Sequence, residues 1–168
     1  MDREPIVVRA AKPADAQGLN DVYDHYVRTS HVTFDTEPIS LDRRRAWLRE
    51  RSRGRYRVLV AHDAERVRGF ATSSPHRARS GYATTVETGV YMDPACTGRG
   101  VGSSLYAALF DALREQDLHR AIAGIALPNP ASVALHGRFG FTQVARFTEQ
   151  GRKFGRYWDV AWFERALP

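Results

Sequence analysis

Glu87 and His136 are the two side chains of this sequence best suited by type and setting to proton transfer. Glu87 lies in the middle of a β-rich run, Thr84–Met92, among apolar neighbours, which is an unusual place for a charge. A carboxylate placed there could accept a proton from an ammonium group. His136 lies in a stretch with helical spacing, and histidine can act as acid or base near pH 7. The competing interpretations are a glutamate on a solvated sheet face and a packed histidine.

Strand alternation predicts how the residues around Glu87 are distributed between the two faces of the sheet. In a regular strand, Glu87, Gly89 and Tyr91 share one face, whereas Thr88 and Val90 share the other. Gly89 then leaves open space beside Glu87, although a β-bulge would break this parity.

A glycine-rich loop follows this run and predicts a site for a phosphorylated ligand. Beyond the loop, Leu105, Leu109 and Leu113 recur every four residues, which indicates a helix. The first turn of a helix leaves backbone N–H groups unpaired and carries a partial positive charge, and glycines let a phosphate approach closely. The candidate ligand-binding residues are Gly98, Arg99, Gly100, Val101, Gly102 and Ser103. Their spacing fits neither a dinucleotide fingerprint nor a P-loop, and a plain tight turn is the alternative.

The rest of the chain predicts strands and helices in the order β-α-α-β-β-β-α-β-α-β-β. The further strands are expected at Ile6–Ala10, Val58–Ala61, Val67–Ser73, Ala121–Ala126, Phe141–Arg146 and Trp158–Phe163. Helices are expected from Pro13 to about Val27, over Leu41–Arg51 with Ser40 as N-cap, after the glycine loop, and from Pro130 to Gly140 with Asn129 as N-cap. Gly151–Tyr157 is interpreted as a basic link. The order predicts a mixed α/β (α+β) fold with a mostly antiparallel central sheet flanked by helices.

Length and composition are those of one domain spanning residues 1–168. The net charge is +6, but the arginines are scattered and no nucleic-acid signature accompanies them, so solvated surface is favoured over nucleic-acid binding. No apolar run approaches the ~20 residues that a membrane span needs, and residues 1–5 lack the apolar core of a secretory signal. Cys96 is the only cysteine and no metal-ligand spacing occurs, so we expect a cytoplasmic protein without a metal. No partner base is evident for Cys96 as a nucleophile.

The loop and the strand before it resemble the acetyl-CoA-binding loop of the GNAT superfamily of N-acetyltransferases. The carriers are Arg99-Gly100-x-Gly102 and Val90-Tyr91-Met92, while Thr97 departs from the usual Gln/Arg. The predicted element order is also that of a GNAT domain, so the resemblance covers nearly the whole chain. Six segments resemble phosphinothricin and methionine sulfoximine/sulfone N-acetyltransferases: Phe34–Pro38; Thr85–Glu87; Val90-Tyr91; Asn129 with Ser132; Leu135-His136 and Gly140-Phe141; and Gly151–Gly155.

The resemblance implies acetyl-CoA as co-substrate and direct acetyl transfer to an amine. The pantetheine arm would run along Val90, Tyr91 and Met92, with a backbone N–H near Val90 polarising the thioester carbonyl. Asn129 could bond the cofactor arm. Glu87 would be the general base and His136 the acid for the CoA thiolate.

The acceptor implied is a small amino-acid-like amine such as phosphinothricin or methionine sulfone, and the enzyme is expected to be a homodimer. Arg77 and Arg79 could pair with an acceptor anion, and Phe34 and Tyr82 could wall the pocket. Thr88 and Gly89 stand where His-Ser is frequent in this group and would widen the site. Another amine acceptor and a non-catalytic CoA-binding sensor are the alternatives, and retention of Glu87 and His136 argues against the sensor.

Overall fold

The computed structural model describes residues 5–51 and 53–168, and the predicted mixed α/β fold is confirmed. The strands are β1 (Val7–Ala10), β2 (Val58–His62), β3 (Val67–Pro75), β4 (Thr85–Met92), β5 (Arg120–Ala126), β6 (Thr142–Lys153) and β7 (Arg156–Ala166). The helices are α1 (Ala16–Thr29), α2 (Leu41–Glu50), α3 (Val101–Leu113) and α4 (Pro130–Arg138). Both predicted N-caps form, because Ser40 accepts from the N–H of Arg43 and Asn129 from that of Ser132. The expectation about a secretory signal concerns residues 1–5, and residues 1–4 lie outside the described residues.

The strands form one sheet in the order β1-β2-β3-β4-β5-β7-β6. Every neighbouring pair is antiparallel except β4 and β5, which are parallel. On one face, α3 and α4 pack through an apolar cluster that includes Leu105, Leu109 and Leu135. On the other face, α1 and α2 pack through Leu19, Val22 and Leu48. Burial of these two clusters holds the sheet between two helical layers. None of the helices described is long and apolar enough to cross a membrane.

The residues of β4 alternate between these two faces as predicted. Val86 is buried in the cluster under α3, and Val90 packs against the same cluster. Tyr91 packs against the cluster under α1, and its register partner on β3 is Phe70. The register of β3 and β4 is continuous from Pro75↔Val86 to Gly69↔Met92, so no bulge reverses the faces.

The prediction of a link over Gly151–Tyr157 is wrong. β6 continues to Lys153 and β7 begins at Arg156, leaving only Phe154 and Gly155 as the turn. Both turn residues have positive φ, at 52° and 73°, which is the backbone geometry of a tight two-residue hairpin. The sequence does not predict a strand here because its basic residues form no apolar run. In the structure these residues alternate in exposure, with Lys153 buried and Arg152 exposed.

Candidate active site

The site is organised by the divergence of the two parallel strands. β4 and β5 pair only at Thr85↔Arg120, Val86↔Ala121 and Glu87↔Ile122. Beyond Glu87, β4 keeps only β3 as a partner and β5 keeps only β7 among the described strands. The gap between them opens into a cleft of about 580 Å³. Its walls come from β4, β5, the glycine loop and α4, and include Gly89, Val90, Gly100, Gly124, Asn129 and His136.

The glycine loop lies at one end of this cleft and delivers the first turn of α3 to it. Gly98 and Gly100 have positive φ of 73° and 78°, which is the left-handed conformation that glycine adopts most readily. A Cβ built on either would meet no heavy atom within 4 Å, so the space over the loop is open. The residues at the start of α3, Val101 to Ser103, line the cleft with N–H groups that have no helical acceptor. This cradle fits the diphosphate of a nucleotide-like ligand.

The backbone of β4 also turns polar groups towards the gap. The N–H of Asp93 donates to the carbonyl of Arg68 on β3 at 2.8 Å. Because backbone groups alternate along a strand, the N–H of Val90 points the opposite way, towards the gap. The carbonyl of Met92 accepts a 2.6 Å hydrogen bond from the hydroxyl of Tyr26, so this acceptor of β4 already has a partner within the protein.

Asn129 and Arg138 lie at the two ends of α4, and both line the cleft. The side-chain oxygen of Asn129 caps α4 by accepting a hydrogen bond from the N–H of Ser132 at 3.1 Å. Arg138 lies beside the start of α3, with Nη2 3.5 Å from Oγ of Ser103. Sequence reasoning missed Arg138 because no local pattern shows that the end of α4 meets the start of α3.

His136 is 2% exposed and both of its ring nitrogens have partners inside the protein. Nδ1 lies 2.8 Å from the carbonyl oxygen of Ser132 and therefore carries the proton. Nε2 lies 2.7 Å from the hydroxyl of Tyr106, which donates to it. Burial lowers the pKa of His136, so the ring is neutral near pH 7. The same Tyr106 hydroxyl oxygen lies 3.3 Å from Oγ1 of Thr88, which ties the histidine to β4.

Glu87 lies outside the lining of the cleft, on the face of β4 that carries Tyr91. Its side chain is 39% exposed, and Oε2 lies 3.9 Å from Nδ1 of His76. Burial raises the pKa of Glu87, whereas burial and the nearby Arg77 lower the pKa of His76. The histidine is thus neutral near pH 7, and the contact is too long for a hydrogen bond. A carboxylate with a raised pKa that can still reach solvent is suited to accepting a proton.

Four of the predicted acceptor residues lie in two places, and neither place lines the cleft. Arg77, Arg79 and Tyr82 are exposed in the segment before β4, where Arg77 stacks over the ring of Tyr82 at 5.7 Å. Phe34 lies between α1 and α2 and covers Gly151 of β6, where an added Cβ would come within 2.2 Å of its ring. Thr88 and Gly89 do line the cleft, with Thr88 buried.

Two further features bear on the chemistry. Cys96 is a buried free thiol on the cleft wall, with Nη1 of Arg99 3.8 Å from its sulfur. Within residues 5–51 and 53–168, no group of three or more His, Cys, Asp or Glu side chains could hold a metal ion.

A strand pair that splits over a glycine-capped helix is the architecture expected of an acyl-CoA-dependent acyltransferase. Residues 8–162 match the family described as the acetyltransferase (GNAT) domain. The chain belongs to the GNAT acetyltransferase family and is an acetyltransferase that takes its acetyl group from acetyl-CoA. The resemblance read from the glycine loop and the six segments is confirmed.

Within the family, the chain is 57% identical to a phosphinothricin N-acetyltransferase of Streptomyces coelicolor, over 96% of each chain. It is 34% identical to an L-methionine sulfoximine/L-methionine sulfone acetyltransferase of Salmonella typhimurium, over 96% of this chain and 95% of the other. Its fold matches the structure of a Salmonella typhimurium acetyltransferase with its cofactor acetyl-CoA, with a TM-score of 0.92 and 34% identity. That match covers 97% of this chain and 94% of the other.

Proposed function

We propose that this enzyme acetylates the primary amine of a small amino-acid-like acceptor, of the phosphinothricin or methionine sulfone type. The observation that carries the proposal is the split between β4 and β5, which joins an open glycine cradle to the strand bearing Glu87. The 57% identity to a phosphinothricin N-acetyltransferase supports the acceptor class. We also propose that the chain acts as one domain, in the cytoplasm, as a homodimer, without a metal and without nucleic-acid or membrane partners.

The cradle of Gly98 to Ser103 holds the diphosphate of CoA, because its open space and unpaired N–H groups suit an anion. Val90 aims its N–H at the thioester carbonyl and stabilises the negative charge that develops on that oxygen. Tyr91 and Met92 continue the same wall, and Asn129 faces it across the cleft.

Glu87 removes the proton from the acceptor ammonium, directly or through one water. Gly89, two residues further along β4 and about 7 Å away, has no side chain to obstruct the path between the amine and the carboxylate. The free amine attacks the thioester carbon, the C–S bond breaks and the CoA thiolate leaves. His136 starts neutral, so its proposed role as acid to this thiolate requires that it first take up a proton.

A panel of acceptors tests the proposal most directly. Purified enzyme and acetyl-CoA are incubated with phosphinothricin, methionine sulfone, polyamines, aminoglycosides and a protein amine, and free CoA is measured. We expect the highest kcat/KM for the first two. Turnover only on aminoglycosides or protein amines would overturn the acceptor class, and acetyl-CoA binding without turnover of any amine would favour a sensor.

A further inference from the structure

A second cavity lies on the α1–α2 face of the sheet and shares one wall with the cleft. Its volume is about 320 Å³, and its walls include Tyr23, Asp35, Arg44, Trp47, Thr72 and Tyr91. Tyr91 lines both cavities. A Cβ built on Gly89, a cleft residue, would lie 3.8 Å from Oγ1 of Thr72 and 3.8 Å from the ring of Tyr91. The two cavities therefore adjoin at Gly89, on the face of β4 that carries Glu87.

Arg44 is a buried cation fixed against this cavity. It is 5% exposed, and its Nε donates to Oδ1 of Asn20 at 2.8 Å. Asn20 is held in turn, because its Nδ2 donates to the carbonyl of Ile39 at 2.8 Å. The guanidinium also lies over the rings of Tyr23 and Trp47, at 5.2 and 5.0 Å from their centroids. Its position is set by the protein before any ligand arrives.

One end of this guanidinium has no partner among the described residues. Nη2 of Arg44 is buried and makes no hydrogen bond. A buried charged donor without an acceptor is costly, since hydrogen bonds to charged groups contribute about 1.5–3 kcal/mol. Asp24 and Asp35 lie close enough to favour the charged form of Arg44 electrostatically, yet neither forms an ion pair with it within 4.0 Å. Asp35 instead accepts from the hydroxyl of Tyr23 at 2.6 Å.

The charges around the cavity favour an anion. Two guanidinium groups, Arg43 and Arg44, line it against the single carboxylate of Asp35. A planar guanidinium with an unused N–H matches a carboxylate or phosphinate oxygen. We propose that Arg44 binds an oxyanion of the acceptor and thereby selects amines that carry an acidic group. The inference rests on the proposed acetylation of an amino-acid-like acceptor and adds Arg44 to Arg77 and Arg79 as a residue that recognises the anion.

The experiment compares acceptors that differ in one charge, in wild type and in two matched variants. Methionine sulfone is assayed beside its carboxamide, and phosphinothricin beside its methyl phosphinate ester, which identifies the oxyanion involved. Arg44→Gln removes the guanidinium. Arg45→Gln removes a neighbouring arginine on α2 that faces solvent beside Asp42, at 3.5 Å.

We expect wild type and Arg45→Gln to prefer one anionic acceptor over its neutral analogue by roughly 10- to 100-fold in kcat/KM, and Arg44→Gln to lose that preference. Acetyl-CoA affinity should stay unchanged in all three. If Arg44→Gln loses kcat/KM equally on the anionic acceptor and on its neutral analogue, Arg44 is structural and the proposal is overturned. If Arg44→Gln does not fold, Arg44→Lys, which retains the cation, takes its place. In wild type alone, a ratio of kcat/KM near one between the anionic acceptor and its neutral analogue overturns the proposal.

Failure of the acetylation proposal gives a different result. If wild type turns over none of these acceptors, calorimetry of methionine sulfone and phosphinothricin tests the cavity separately. Tighter binding to wild type than to the Arg44 variant supports the anion site, and equal or no binding overturns it.

Discussion

Nε2 of His136 lies 2.7 Å from the hydroxyl of Tyr106, in the apolar layer between α3, α4 and the sheet. The bond uses the only hydroxyl proton of Tyr106 and occupies the nitrogen that a neutral histidine would use as a base. Nδ1–H is occupied by the carbonyl of Ser132 at 2.8 Å. A histidine held in this way positions α4 against β4, and this role competes with its proposed role in proton transfer.

Tyr106→Phe and His136→Asn together should separate these two roles. Tyr106→Phe leaves Nε2 of His136 buried without a donor, so we expect the free energy of unfolding to fall by about 1–3 kcal/mol in urea titrations at pH 7.5. His136→Asn should keep acetyl-CoA affinity. If His136 is the acid, kcat falls and the pH dependence of kcat changes. If it only positions α4, both variants lose stability and kcat keeps its pH dependence.

The lowered pKa of His136 also predicts a loss of stability in acid. Because the folded state favours the neutral ring, the contribution is present above the unfolded pKa, near 6.5, and is lost as the pH falls towards the folded value. Urea denaturation of wild type between pH 7.5 and 5.5 should show this decline, and His136→Asn should show less of it. An equal decline in the variant would assign the effect to other groups.

Glu87→Gln should abolish most turnover while keeping the shape of the site. Loss of a general base typically lowers the rate by about 100- to 10,000-fold, and the deficit should shrink as pH rises because more acceptor arrives as free amine. Retention of more than a tenth of kcat/KM near pH 7 would make Glu87 structural.

The same variant should be more stable than wild type at neutral pH. The folded pKa of Glu87 is raised by burial, so its contribution is present below the unfolded pKa and is lost as pH rises through the folded value. Thermal unfolding at pH 7 should show a higher Tm for Glu87→Gln, and the difference should vanish in acid. A lower Tm at pH 7 would contradict the burial argument.

Gly102→Ala tests the cradle without straining the protein. A Cβ at Gly102 would lie 3.6 Å from Leu135 and 3.9 Å from Met92, which is ordinary contact. We expect unchanged unfolding and a large loss of acetyl-CoA affinity by calorimetry, because the Cβ would narrow the cleft between the first turn of α3 and Met92. Gly100→Ala adds backbone strain of roughly 1–2 kcal/mol at its φ of 78°, so it should lose both affinity and stability. Near-native affinity in folded Gly102→Ala would contradict the cradle.

Gly151→Ala should disturb the acceptor side through Phe34. An added Cβ would lie 2.2 Å from the Phe34 ring, which cannot remain in place. The hairpin also holds this loop from beneath, as Nζ of Lys153 donates to the carbonyl of Thr33 at 2.8 Å. We expect a higher KM for the acceptor at unchanged acetyl-CoA affinity, and Gly155, whose side-chain space is open, offers Gly155→Asn as a control. Equal effects from both changes would deny Phe34 a role in acceptor binding.

The outer strand carries the surface that would join a homodimer. β6 ends the sheet, and Val144, Phe147, Phe154 and Tyr157 on its hairpin are each more than half exposed. Light scattering at micromolar concentration should give a dimer for wild type and a monomer for Phe147→Glu. A monomeric wild type would refute the proposal.

The sequence by itself determined the features that depend on residues close together along the chain. The glycines at 98, 100 and 102, the caps Ser40 and Asn129, and the alternation around Glu87 each follow from local backbone preferences, and so does the order of elements. The glycine loop, together with the order of strands and helices, identified the family.

Tertiary structure alone decided which distant residues meet. The length over which β4 and β5 stay paired depends on β7 holding β5 and β3 holding β4, and no local pattern encodes it. The contact of Tyr106 with His136 spans 30 residues, and the bond of Arg44 to Asn20 spans 24. The arginines at 77 and 79 and the one at 44 have the same side chain, and only packing buries Arg44 at a cavity and leaves the other two in solvent.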